Sequence, residues 1–426
     1  MSTFTAEAYQ NEYLPLDGTE VNAIVTVTST GDGVPAPQGG GAEIVILDTS
    51  GSMDVPRNKI AAARDATCVA IDCIRDGVAF GVISGTDKAW LVYPRRPGGL
   101  LAASTETREE AKRAVRELTA GGGTAIGRWL TLAAELFASA PAGIHHAIML
   151  TDGENRQETE AELDAILASV EGQFQCDCRG VGTDWVVSEL RRVASTLLGT
   201  VDIIADPADM ADDFRSMMEA AMGKATANVT LRLWTPQTAT VAFLRQVSPT
   251  IEELTDRASA TGALIADYPT GSWGQESRDY HLCIKVPPRA VGEEMLAGRV
   301  SIVEGDDVLA QALIKATWTG DEQLSTRINR EVAHYTGQAE LAEVIQDGLE
   351  ARKSGDEATA TFKLGRAVQL ATESANEGTM KLLRAVVEVD DAATGTVRLR
   401  REVADADEMA LDTRSTRTVR LGAGGP

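Results

Sequence analysis

Between residues 42 and 223, short apolar runs alternate with stretches in which apolar side chains return every three to four positions. No other feature of this 426-residue chain restricts its fold so far. The runs EIVIL, VAFGVIS, WLVY, HHAIML, FQCDCRGVG and TVDIIA are separated by segments of helical period, at 58–75, 107–118, 125–139, 160–170, 184–197 and 207–222. In the first of these, Ile60, Ala63, Thr67, Ala70, Ile71 and Ile74 fall near a 3.6-residue spacing. A strand that is apolar throughout is covered on both faces. The alternation therefore predicts an α/β unit: a doubly wound, mostly parallel, Rossmann-like sheet between two helix layers. VAFGVIS and WLVY, joined by GTDKA, predict a hairpin at the sheet edge.

The flanking segments follow other periods. Residues 21–28 alternate, with Val21, Ala23, Val25 and Val27 on one face, and predict a strand within an N-terminal segment, 1–41, that ends in breaker-rich sequence. Residues 224–321 contain NVTLRLW, TATVAFL, ALIADYP, DYHLCIKV, RVSIVEG and QALIKATW without long helices between them, the pattern of an antiparallel β-sandwich. The isolated N-terminal strand is expected to join that sandwich, so that the α/β unit at 42–223 is an insertion. Residues 322–390 predict a helical hairpin or bundle, with helices at 338–353, 356–373 and 376–388. Residues 391–426 predict one strand, TGTVRLRREV, and a flexible tail.

Charge narrows the partners. With 63 Asp and Glu against 40 Lys and Arg, the net charge of −23 disfavours phosphate backbones and anionic lipid. The first 22 residues are polar and carry Glu7, Glu12, Asp17 and Glu20, unlike a signal peptide, and no apolar stretch is long enough for a membrane span. Five cysteines, odd in number and without zinc-like spacing, fit reduced thiols and a cytoplasmic setting.

The chemistry is concentrated at strand ends. Asp48-Thr-Ser50-Gly-Ser52 follows directly on EIVIL, where open α/β sheets bind ligands. Thr124 follows three glycines, 121–123, that allow a tight backbone turn, and Asp152 closes the HHAIMLT strand before Gly153. Two carboxylates and three hydroxyls from three loops suit a hard cation, Mg²⁺ or Mn²⁺, that keeps some water and one replaceable position. Two carboxylates bring the site close to charge-neutral, and a metal with few protein charges stays electrophilic, which favours an outside carboxylate there. A strand-end Asp also opens phosphotransfer motifs, but these place a second Asp two positions on, where this chain has Ser50. An enzyme is not expected.

DTSGS, GGGTAI and TDGEN together resemble the three parts of the metal-ion-dependent adhesion site of von Willebrand factor A domains. In that family the first Asp, both Ser, the Thr and the second Asp hold the metal directly or through water, which implies Asp48, Ser50, Ser52, Thr124 and Asp152 here. The layout resembles cytosolic actinobacterial members, a resemblance that implies a signalling setting with Ser/Thr kinases and forkhead-associated proteins as partners. The alternative is a subunit that engages an external AAA+ ATPase, as in chelatase or MoxR-type machines.

Other residues attract less chemistry. His145 and His146 are adjacent in a strand and point to opposite faces. His281 with Cys283, and Cys176 with Cys178, share faces but lack third and fourth ligands nearby and read as packing. TVRL occurs at 396–399 and again at 418–421, either as two edge strands or by coincidence. The tail also offers Thr413, Ser415, Thr416 and Thr418 as phosphoacceptors, provided it is exposed.

Overall fold

A computed structural model describes residues 3–31, 41–55, 58–95, 99–141 and 143–421. The chain divides into two compact units, Gly33–Ala227 and a second formed by Met1–Asp32 with Asn228–Pro426. Most of the breaker-rich segment before residue 42 lies outside the described residues.

In the α/β unit the sheet runs Val201–Ile204, Gln175–Val181, His145–Thr151, Ala42–Asp48, Ala79–Gly85, Ala89–Tyr93. The first five are parallel, and Ala89–Tyr93 turns back antiparallel at the edge. Every residue of the central strand Ala42–Asp48 is buried, which explains its apolar run Ile44–Leu47. Alternate residues serve opposite faces. Val45 and Leu47 join one core with Ile60, Ala63 and Ile71 of helix Asn58–Cys73 and Phe214 of helix Met210–Met222. Helices Thr105–Arg116, Ile126–Ala138, Glu160–Val170 and Val187–Thr196 also belong to the unit.

Two larger sheets build the sandwich of the second unit. Glu20–Thr30 lies between Thr3–Gln10 and Glu276–Lys285, antiparallel to both, in a sheet that continues to Thr240–Ser248. The other sheet contains Ile265–Trp273, Thr226–Trp234, Glu294–Glu304 and Asp307–Trp318. Val21, Ala23, Val25 and Val27 face a shared core with Leu231, Trp273, Tyr280 and Trp318. The additional strand Thr3–Gln10 was not expected; its alternate side chains Phe4, Ala6 and Ala8 give too faint an apolar signal.

The helical part begins earlier than its apolar pattern suggests. Helix Arg330–Ser354 starts where the Asn329 side chain accepts from the Glu331 and Val332 amides, and it ends at Gly355, whose φ of 82° closes the last turn. Glu357–Glu373 and Glu377–Val386 pack with it around Leu349, Leu364, Val368 and Leu383. A hairpin, Val387–Asp391 with Thr396–Leu399, leads to a helix, Asp405–Arg414.

That helix corrects the expectation of a flexible, exposed tail. Thr413 and Ser415 are 2% and 3% exposed, and the Ser415 hydroxyl accepts from the Gln346 side chain at 3.0 Å. Thr416 and Thr418 are half-buried; the Ile251 amide donates to the Thr416 carbonyl, and the Thr418 hydroxyl donates to the Val247 carbonyl at 2.7 Å. Residues 422–426 lie outside the described residues. No helix among the described residues is long and apolar enough to cross a membrane.

Candidate metal centre

The carboxyl ends of two neighbouring parallel strands create the site. Ala42–Asp48 ends on Asp48, and His145–Thr151 ends one residue before Asp152. Both carboxylates are fully buried. Ser50 and Ser52 follow Asp48 at the entry to a short 3₁₀ turn, Gly51–Asp54. The Ser50 amide donates to Asp48 Oδ1 at 2.7 Å, the Ser50 and Ser52 hydroxyls are 2.9 Å apart, and the Ser52 hydroxyl donates to Asp152 Oδ1 at 2.6 Å.

Thr124 is delivered by the glycine loop ahead of helix Ile126–Ala138. The Gly121 amide donates to the Thr49 carbonyl and the Gly51 amide to the Gly122 carbonyl, at 2.7 and 3.0 Å, binding this loop to the one carrying Ser50 and Ser52. Gly122 has a φ of 89°, and a Cβ there would meet Asp87 Oδ1 at 2.8 Å. A Cβ built at Gly153 would lie 3.2 Å from Thr124 Oγ1 and 3.4 Å from Ser52 Oγ, so these hydroxyls flank the backbone just after Asp152. The five residues singled out in the sequence therefore sit in one cluster.

The supporting residues carry no motif of their own. The Thr151 hydroxyl donates to Asp48 Oδ2 at 2.6 Å, fixing the carboxylate from the neighbouring strand. Asn155 Oδ1 accepts from the Ile126 amide, and Glu158 accepts from the Gly127 and Arg128 amides; together they hold the helix behind Thr124 against the loop after Asp152. Lys59 is 4% exposed, and its Nζ contacts Asp152 Oδ2 at 2.5 Å. Its sequence signal is a lysine in the first turn of a helix, directly before the apolar run Ile60–Ala63. Burial pushes the Asp48 carboxyl up to about 6 against the opposing hydrogen bonds from Ser50 and Thr151, and Asp152 adds to the rise.

The donor set fits a small hard cation. Ser52 uses its proton on Asp152 and retains oxygen lone pairs, and the buried carboxylates gain from any positive charge. Among the described residues no three His, Cys, Asp or Glu side chains converge as a metal cluster, so a cation here relies on the hydroxyls as well as Asp48 and Asp152. The other candidates are occupied elsewhere. His145 stacks on Phe137, and His146 lies between Glu43 and Asp177. His281 meets Asn22 and the edge of Phe243, with burial and then Arg245 lowering its pKa to about 4. Cys176, Cys178 and Cys283 are buried free thiols.

Comparison with known proteins follows the same division. Residues 42–203 match the von Willebrand factor type A domain, and residues 369–415 match the von Willebrand factor type A C-terminal domain. The solved structure of a von Willebrand factor type A protein from Catenulispora acidiphila is 50% identical, with a TM-score of 0.94 over 98% of this chain and 97% of its own. The ArnB paralog VWA2 from Sulfolobus acidocaldarius is 15% identical, with a TM-score of 0.59 over 98% of both chains, and shares the fold. Inter-alpha-trypsin inhibitor heavy chain H4 from Sus scrofa is 30% identical over 178 residues, 39% of this chain; the match spans only 18% of that protein's length.

Proposed function

The chain belongs to the von Willebrand factor type A family, and on that footing we propose that it is a non-enzymatic interaction module whose metal centre takes a carboxylate from a partner protein. Asp48, Ser50, Ser52, Thr124 and Asp152 would hold Mg²⁺ or Mn²⁺ directly or through water. One observation carries this reading: oxygen donors from three separate loops are tied together by contacts of 2.6 to 3.0 Å at the ends of adjacent parallel strands.

The cation supplies a Lewis-acidic position. The protein's part is to orient and dehydrate it. The Thr151 and Ser50 hydrogen bonds fix Asp48, the Ser52–Asp152 hydrogen bond aligns the second carboxylate, and the glycine loop presents Thr124. Two carboxylates bring a divalent ion close to charge-neutral, and three neutral hydroxyls leave it electrophilic, with a position that an Asp or Glu of a partner would fill. The reading places the protein in the cytoplasm, in a signalling or complex-assembly system; five unpaired cysteines support a reducing compartment. Phosphorylation of Thr413 and Ser415 is not part of it, because both residues are buried.

Isothermal titration of the full chain with Mg²⁺, and separately with Mn²⁺, should give one site that Asp48→Ala abolishes. Equal binding by wild type and a folded Asp48→Ala variant would overturn the proposal.

A further inference from the structure

Lys59 is the feature of the centre that the ligand set leaves unexplained. Its ammonium contacts Asp152 Oδ2 at 2.5 Å, with 5% of the lysine side chain and none of the aspartate side chain exposed. Asp152 is thereby shared: Oδ1 accepts from Ser52 and Oδ2 is committed to Lys59. Asp48 accepts from neutral donors, the Ser50 amide and the Thr151 hydroxyl.

A cation is an expensive choice at this position. Lys59 lies in the first turn of helix Asn58–Cys73, where the positive end of the helix dipole opposes it, and burying an ammonium costs solvation that only a close partner returns. Anchoring the helix does not require it, because Ile60, Ala63, Ala66 and Ala70 already bury the same helix in the core. The residue is better explained by its charge.

We propose that Lys59 sets the charge of the metal centre, and so exchanges affinity for the cation against the cation's affinity for an outside carboxylate. This inference rests on the metal-dependent reading above. With Lys59 present, the side chains around the ion carry one net negative charge; a bound divalent ion leaves the centre with net charge +1, and a single carboxylate brings it to zero. Without Lys59, the two aspartates alone neutralise the ion, and an incoming carboxylate is no longer drawn in by excess positive charge. Lys59 is therefore a positioning and charge-setting residue, not a ligand.

The test separates the two affinities at fixed pH. Mg²⁺ binding to the full chain is measured calorimetrically for wild type, Lys59→Met and Lys59→Arg. Acetate is then titrated into the Mn²⁺-loaded proteins, and its displacement of metal-bound water is read from water-proton relaxation. Removing one unit charge beside a divalent ion in a buried site changes affinity by about tenfold or more. Lys59→Met should therefore bind Mg²⁺ about tenfold more tightly and acetate about tenfold more weakly, while Lys59→Arg should restore both values. Equal or parallel changes in the two affinities would show a merely structural lysine and overturn the inference.

Absence of Mg²⁺ binding by wild type would instead sink the metal-dependent reading itself. If Lys59→Met does not fold, the comparison passes to Lys59→Gln, which keeps a hydrogen-bond donor for Asp152 Oδ2 and removes only the charge. The same opposed changes of about tenfold are expected, and equal or parallel changes in the two affinities would overturn the charge account.

Discussion

His146 Nδ1 lies 2.9 Å from Glu43 Oε1, which places a buried imidazole and a buried carboxylate in contact across adjacent parallel strands. Asp177 Oδ2 meets the other ring nitrogen at 3.0 Å. Burial alone would push the imidazole's pKa down. Glu43 and then Asp177 more than reverse this and raise it to about 10, while burial pushes the Glu43 carboxyl up and pairing holds that of Asp177 well below its usual range. In the unfolded chain the imidazole loses its proton near 6.5, whereas the folded state keeps it to about 10; the folded state binds more protons in that window, so stability falls as pH rises through it. The unfolding free energy measured in urea should decline from pH 7 to pH 9.5, by up to about 1 kcal/mol per pH unit from this residue. His146→Gln should be less stable at pH 7 by about 3 kcal/mol, because it strands two carboxylates, and its pH profile should be flatter. A variant with the wild-type slope would show that His146 is not the group responsible.

Thr151 offers a cleaner probe of the metal centre than any ligand. Thr151→Val preserves shape and removes the hydroxyl that donates to Asp48 Oδ2. A hydrogen bond to a charged group contributes about 1.5 kcal/mol, so Mg²⁺ affinity should fall roughly tenfold with the fold intact. Calorimetry on the two proteins decides it, and unchanged affinity would mean that Asp48 is oriented without Thr151.

The contrast between Asp48 and Lys59 shows where the sequence was legible. Asp48, Thr124 and Asp152 are each marked by local pattern, an apolar strand or a glycine run that puts the residue at a loop. Lys59 pairs with Asp152 over 93 positions, and nothing in the intervening sequence records that their side chains meet. Thr151 is similarly hidden as the last residue of an apolar strand, its role fixed only by a neighbour 103 positions away. The alternation of Val21, Ala23, Val25 and Val27 gave the strand Glu20–Thr30 and required a partner sheet, while Phe4, Ala6 and Ala8 are too small a set to announce Thr3–Gln10.

The repeated TVRL is the clearest limit. At Thr396–Leu399 it forms a strand paired with Val387–Asp391; at 418–421 the same four residues lie in irregular backbone fastened by the carbonyls of Val247 and Pro249. Local propensity was equal, and tertiary partners decided the outcome.

The three glycines before Thr124 should respond unequally to substitution. Gly122 has a φ of 89° and no room for a Cβ beside Asp87, whereas a Cβ at Gly121 meets nothing within 4 Å. Gly122→Ala should cost about 1–2 kcal/mol of stability and weaken Mg²⁺ binding, while Gly121→Ala should be close to neutral in both. Urea midpoints and calorimetry on the pair test this, and equal effects would mean that the left-handed turn does not hold Thr124 in place.

The chain's end should stabilise the second unit through Arg420. Its guanidinium meets Asp279 Oδ1 at 2.9 Å, and that 4% exposed carboxylate also accepts from Thr26 and Tyr335. Beside this contact, the His334 ring bonds to the Val419 carbonyl and the Thr418 hydroxyl to Val247, so residues 416–420 lie as a strap on strand Thr240–Ser248 and helix Arg330–Ser354. Arg420 is 40% exposed, and solvent screens its side of the pair. Arg420→Met should therefore cost only about 1 kcal/mol, since Asp279 keeps two donors. Thr418→Glu should cost more, because it forces a charge where a hydroxyl donates to a backbone carbonyl, and it should expose the strap to proteolysis. Limited trypsin digestion at Arg417, the cleavage site that wild type and both variants share, provides the measurement. Equal cleavage rates in all three would show that the strap is not held by these contacts.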